Sequence, residues 1–252
     1  MDAVTVRIEG QGNCEAAWEA STWLSELPVQ TPSELLQSAR RLVVVSPHPD
    51  DEVLACGGLM HAAAAQELPV CIVSVTDGEA CYPDQALWPA ARLRDARRLE
   101  LARAVKALGL DATHVSALGL PDGDVTTHEA ALAAHLSAQL VPGDLVLAPW
   151  IHDAHPDHEA VGRATLAAAE ARGCRALQYP VWAWHWLDPQ AAQPTWPSAR
   201  RIPMDEQARQ CKLQALRAFA TQTGEVAGLD CAPILPEIVL QRFQRSFEVV
   251  IG

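Results

Sequence analysis

His48, Asp50 and Asp51 stand within Ser46-Pro-His-Pro-Asp-Asp-Glu52, directly after the apolar run Leu42–Val45. An imidazole and a carboxylate three positions apart can reach one ion across a single turn, and that pair of donors suits Zn²⁺. The three consecutive acids Asp50, Asp51 and Glu52 repel one another unless a cation relieves them. A second cluster of the same His-Pro-Asp-X shape, His155-Pro-Asp-His158, follows the run that ends at Pro149-Trp150. Each cluster alone has an ordinary explanation: acids in a first helical turn complement the helix dipole, and a histidine at a helix start is unremarkable. Two such clusters that converge offer more donors than the three protein ligands of a catalytic zinc, which leaves side chains for proton transfer.

The surrounding elements are of a kind that brings such clusters together. Apolar runs rich in β-branched residues read as strands at Leu42–Val45, Val70–Val75, Thr113–Leu118, Asp144–Ala148, within Ala176–Trp186, and at Phe247–Ile251. Between them, helical patterns cover Val53–Gln66, Leu87–Leu108 (ended by Gly109), Thr126–Leu140, Pro156–Ala171 (closed by Gly173) and Asp205–Ala220. Thr31-Pro-Ser-Glu34 starts a short helix with a capping box. This alternation predicts an α/β fold, a mostly parallel central sheet with helices on both faces. In such sheets, sites form beyond the carboxyl ends of the strands, where both clusters stand. Residues 1–30 read as an N-terminal extension, Gln190–Pro197 as a loop, and residues from about 198 to 252 as a C-terminal addition packed on one domain.

With 252 residues, 49% of them hydrophobic, the chain can build one sizeable core. Its net charge of −12 disfavours phosphate backbones, so no nucleic acid partner is expected. The seven cysteines form no CxxC pair, and several lie in apolar runs such as Val70-Cys-Ile-Val-Ser-Val75. They read as reduced thiols of a cytoplasmic protein. No signal peptide or membrane span is expected. No Gly-rich phosphate loop accompanies Gly57-Gly58, and Cys56 is a poor candidate for a nucleophile.

The paired motifs His48-Pro-Asp-Asp-Glu52 and His155-Pro-Asp-His158, with their strand–helix order, resemble the PIG-L/LmbE-like family of zinc-dependent N-deacetylases over residues 40–190. The resemblance implies an LmbE-like, Rossmann-like three-layer sandwich. It implies that His48, Asp51 and His158 hold one Zn²⁺ per chain, with Fe²⁺ or Co²⁺ as other candidates. Asp50 would be the general base for metal-bound water. His155 would face the reacting carbonyl as an imidazolium, oriented by Asp157. Either Asp50 or His155 could then protonate the leaving amine. Arg97, in an Arg-X-X-Glu with Glu100, and Asp122, in Gly119-Leu-Pro-Asp-Gly123, match substrate-binding positions, although helical ion pairs and an Asp-Gly turn explain them equally well.

The implied activity is removal of an acetyl or other acyl group from a small N-acylated amino sugar or glycoconjugate. The alternatives are an amidase on another N-acyl small molecule or thiol-sugar conjugate, and a non-catalytic, metal-stabilised sugar-binding protein. A homo-oligomer is compatible with the sequence. Trp182, Trp184 and Trp186 alternate and would share one face of a strand, better suited to core or interface packing than to a sugar platform. His185 is a minor pocket candidate, and His152 and Asp153 are expected only to shape their loop.

Overall fold

The computed structural model describes Ile8, residues 10–190, Trp196 and residues 198–252. Residues 1–7 and 9 of the N-terminal extension and residues 191–195 and 197 of the predicted loop lie outside the described residues. Three short helices, α1 (Glu15–Glu19), α2 (Thr22–Glu26) and α3 (Pro32–Leu36), lead into the sheet. The Thr31–Glu34 capping box forms as expected: Glu34 Oε2 accepts from Thr31 N at 2.8 Å, and Thr31 Oγ1 accepts from Glu34 N at 3.2 Å. The extension is not peripheral, because Trp18 is fully buried and donates through Nε1 to Trp184 O at 2.8 Å.

Strand β1 (Arg41–Ser46) is followed by α4 (Asp51–Ala65), β2 (Val70–Thr76), α5 (Ala90–Ala107), β3 (Val115–Leu120), α6 (Val125–Gln139), β4 (Asp144–Pro149), α7 (Pro156–Arg172) and β5 (Arg175–Tyr179). The chain closes with α8 (Ala183–Trp186), β6 (Ala199–Pro203), α9 (Glu206–Leu216), α10 (Ala220–Thr223), α11 (Glu237–Leu240) and β7 (Phe247–Ile251). The seven-stranded sheet has the order β3-β2-β1-β4-β5-β7-β6. The first five strands are parallel, and β7 runs antiparallel to both neighbours.

Side-chain alternation along the strands feeds two cores. Leu42, Val44, Ile72, Leu145 and Leu147 pack under α4 and α5, while Val43, Val45, Val73 and Val146 pack against α6 and α7. Helices therefore cover both faces, which is the predicted three-layer arrangement. From β1 the chain moves outward through β2 and β3, then returns to place β4 on the other side of β1. That reversal opens a crevice at the carboxyl ends of β1 and β4. Both His-Pro-Asp clusters leave the sheet there.

Two expectations need correction, and one strand carries no apolar run. The run Ala176–Trp186 is strand only to Tyr179; Pro180 follows and residues 183–186 form α8, so the three tryptophans diverge instead of sharing a face. Trp184 joins an aromatic cluster with Trp18 and Trp196, and Trp186 stacks on Trp150 at 6.2 Å. The predicted Asp205–Ala220 helix divides into α9 and α10, with a turn at Arg217–Phe219. Strand β6, Ala-Arg-Arg-Ile-Pro, lacks an apolar run because it is the edge strand of the sheet, paired with β7 and touched on its other side only by a bridge from Val29 to Arg201.

Gly57-Gly58 lies inside α4 because the C-terminal addition presses on it. A Cβ at Gly58 would collide with Met204. The N–H groups of Gly58 and Leu59 donate to the carboxylate of Glu248 on β7, at 2.7 and 2.9 Å. The same carboxylate meets Lys212 Nζ of α9 at 2.8 Å, a pair only 3% and 2% exposed.

Candidate metal and catalytic site

The turn from β1 to α4 is short and forced. Asp50, the residue before the helix, has φ 147°, a region that residues other than glycine rarely enter. Such a conformation costs about 1–3 kcal/mol and persists only where surrounding contacts fix it. Two contacts do so here: Arg97 Nη2 donates to Asp50 Oδ2 at 3.0 Å, and the same nitrogen donates to Pro49 O at 2.9 Å. The turn swings Asp51 back to His48, and their Oδ2 and Nδ1 atoms lie 3.2 Å apart. On the neighbouring strand, Ala154 (φ 67°) and Pro156 turn the chain into α7 and bring His158 in from the other side.

His48, Asp51 and His158 each place one ligand atom within 4.8 Å of the others. His158 Nε2 lies 3.3 Å from Asp51 Oδ2. Ligands bound tetrahedrally to zinc at about 2.0–2.1 Å sit about 3.3 Å apart, so both spacings to Asp51 match. His158 Nε2 is buried and has no hydrogen-bond partner among the described residues. Its other nitrogen, Nδ1, is 2.8 Å from Asp153 Oδ2. A carboxylate acceptor there puts the ring proton on Nδ1 and leaves a bare lone pair on Nε2, the arrangement expected of a metal-ligating histidine. These donors fit a divalent cation. A second group, His48, His155 and Asp157, is equally close, but Asp157 already accepts from Gly123 N at 2.8 Å and Val125 N at 3.2 Å.

The charge balance points the same way. Burial opposes charge on His158, but Asp51 and Asp153 outweigh it and raise the group to about 9. His48 is likewise raised, its burial outweighed by Asp122, Asp157 and Asp51. Burial works to raise Asp51, yet His158 and His48 hold it well below the carboxylate range. The acids demand positive charge at this point, and a dication would supply it in place of protons.

The other predicted residues surround this group. Asp50 is pushed up to about 8, chiefly by burial and against the pull of Arg97. The His155 ring lies 4.9 Å from that of His48 and 4.8 Å from that of His158. Burial and those two imidazoles push His155 down to about 3. The backbone N–H of Asp157 donates to His155 Nδ1 at 3.3 Å, which leaves the ring proton on Nε2. The Asp157 carboxylate turns instead toward His48, 3.4 Å from Nε2, because the N–H groups of Gly123 and Val125 draw it there. Asp122 Oδ1 lies 3.1 Å from the same Nε2. Arg97 is buried against Asp50, with Nη1 donating to Gly78 O at 2.9 Å. Glu52 is fully buried and accepts from Ser46 Oγ at 2.7 Å.

Asp153 exceeds its expected part. It does shape its loop, accepting from the N–H groups of Val181, Trp182 and Ala183 at 3.1, 2.9 and 2.8 Å. It also holds His158, a role whose only sequence signal is its position five residues before that histidine. Asp153→Asn is expected to weaken divalent-metal binding by this group about 10–100-fold, as loss of such outer partners does. Competition with a chromogenic chelator measures this, and an unchanged affinity would return Asp153 to a loop-shaping part alone.

A family model described as GlcNAc-PI de-N-acetylase (PIG-L) matches residues 43–169. A 1D-myo-inositol 2-acetamido-2-deoxy-alpha-D-glucopyranoside deacetylase of Mycobacterium sp. (strain KMS) is 27% identical over 243 residues, covering 76% of this chain and 77% of that one. A deacetylase of the same description from Catenulispora acidiphila is 43% identical over 79 residues, 29% of this chain and 24% of that one. The chain spans about half the length of several curated relatives it matches, 24%, 60% and 52% in three of them. Among solved structures, the antimicrobial reagent A40926 pseudoaglycone deacetylase is 26% identical with a TM-score of 0.61, covering 76% of this chain and 86% of that one.

Proposed function

The chain belongs to the PIG-L (GlcNAc-PI de-N-acetylase) family, and from that premise we propose that it is a zinc-dependent hydrolase removing the acetyl group from a small N-acetylated amino sugar or glycoconjugate. The observation that carries the reading is the buried Nε2 of His158, which makes no hydrogen bond among the described residues and stands 3.3 Å from Asp51 Oδ2, with His48 beside it. These three residues would hold the ion, and Fe²⁺ or Co²⁺ would suit the same donors. When bound, such an ion lowers the pKa of water to about 7 and polarises the amide carbonyl.

The remaining work falls to the chain's own groups. Asp50 stands on Arg97, apart from the ligand set, and takes the proton of the attacking water. Its elevated pKa, about 8, lets it accept a proton and give it back near neutral pH. His155, neutral and protonated on Nε2, donates a hydrogen bond to the developing oxyanion. The proton held by Asp50 then goes to the leaving amine. Asp122 fixes His48 and, with Arg97, lines the cavity where the sugar would bind. Asp157 supports His48 in the same way.

No helix among the described residues is long and apolar enough to cross a membrane, and all seven cysteines are free. The free thiols support a cytoplasmic setting. A non-catalytic sugar-binding protein would have no use for a strained carboxylate beside the ligand set. Purified protein is expected to carry close to one zinc per chain and to release acetate from N-acetylglucosamine derivatives. His158→Ala should lose most of both. Zinc-loaded protein that releases no acetate across a panel of N-acetylated sugars would overturn the proposal.

A further inference from the structure

Resting on that reading, we infer that the substrate carries an apolar arm, alkyl or aromatic, beside its N-acyl sugar. The cavity over the site has a volume of about 530 Å³, in the range of pockets that take a drug-sized molecule, about 300–1,000 Å³. Its polar lining is the candidate catalytic group together with Cys81, His185 and Gln222. Much of the rest is apolar: Leu54, Val181, Trp182, Ile234, Leu235 and Val239. The permanent cation among the described lining residues, Arg97, is engaged with Asp50, Pro49 and Gly78. Apart from the proposed zinc, a carboxylate or phosphate on the substrate would find no uncommitted permanent cation among the described lining residues, and the net charge of −12 opposes it further.

The apolar wall is built, not incidental. Glu100, buried on α5, accepts from Thr221 N at 2.8 Å and from Thr221 Oγ1 at 2.7 Å. Tyr82 Oη donates to Thr221 O at 2.9 Å and accepts from Ile234 N at 3.2 Å. Leu235 N donates to Gln222 O at 2.9 Å. Ile234 and Leu235 are thereby pinned to the cavity edge. Both lie outside residues 43–169, the part that the family model matches. Apolar surface removed from water is the contribution such a wall can make to binding.

Calorimetric titration of the zinc-loaded protein tests this with three probes: N-acetylglucosamine, its octyl glycoside below micelle-forming concentration, and N-octanoylglucosamine. At least one octyl compound should bind tenfold or more tightly than N-acetylglucosamine. Preference for the glycoside assigns the arm to the aglycone, and preference for the octanoyl amide assigns it to the acyl group. Ile234→Ser, with folding checked by its melting curve, should bring the ratio within threefold. Failure of both octyl compounds to bind more tightly than N-acetylglucosamine to the unmutated protein overturns the inference. Acetate release, assayed on the same samples, judges the catalytic proposal separately, since apolar preference can stand without turnover and turnover without preference.

Discussion

Asp50→Asn is expected to cut turnover by about 10²–10⁴-fold while the zinc stays in place, the range that loss of a positioned general base produces. The substitution is nearly isosteric. The amide oxygen can still accept from Arg97, which now lies 3.0 Å from the carboxylate. Asparagine also tolerates unusual backbone conformations better than most residues, so the turn at φ 147° should survive. What disappears is the capacity to take a proton. Acetate release and metal analysis on one preparation give the test: a zinc-replete Asn variant with unmutated turnover would remove Asp50 from the mechanism. If zinc were lost as well, Asp50 would belong with the ligands.

Glu248→Leu is expected to cost about 3–5 kcal/mol of stability, the range for removing one partner of a buried ion pair. Lys212 would be left charged in a site where it is 3% exposed, and the N–H groups of Gly58 and Leu59 would lose their bonds to this carboxylate. The double variant Glu248→Leu with Lys212→Met should recover much of the loss, because the stranded charge is gone. It should not recover all of it, because the hydrogen bonds from the Gly58 and Leu59 N–H groups to the carboxylate stay lost. Urea denaturation of both variants reads this directly. A loss below about 1 kcal/mol for the single variant would show that Lys212 finds water or another partner.

The chemistry of the site is legible in the sequence because it is local. His48 and Asp51 sit in one turn, and His155 to His158 in another, so residue type and spacing are enough to nominate them. The strands that carry them are apolar on both faces and read as continuous runs. What spacing does not show depends on distant parts of the chain. Asp153 gains its importance from three N–H groups near residue 182, and Gly58 from a carboxylate on β7. Strand β6 hides because an edge strand can carry the half-buried Arg200 and Arg201 and keep only Ile202 and Ala199 fully buried. The tryptophan alternation misleads because Pro180 ends the strand before the stripe begins.

The two halves of the candidate centre come from chain segments about a hundred residues apart, on strands that become neighbours only when β4 closes against β1. Contacts so far apart in sequence form late, since the loop between them must be ordered first. During synthesis, the first motif would emerge with half a ligand set and nothing to complete it. Tight metal capture would then wait for the sheet, and any hydrolysis with it. The assembled centre would therefore serve as a built-in signal that the central sheet has closed.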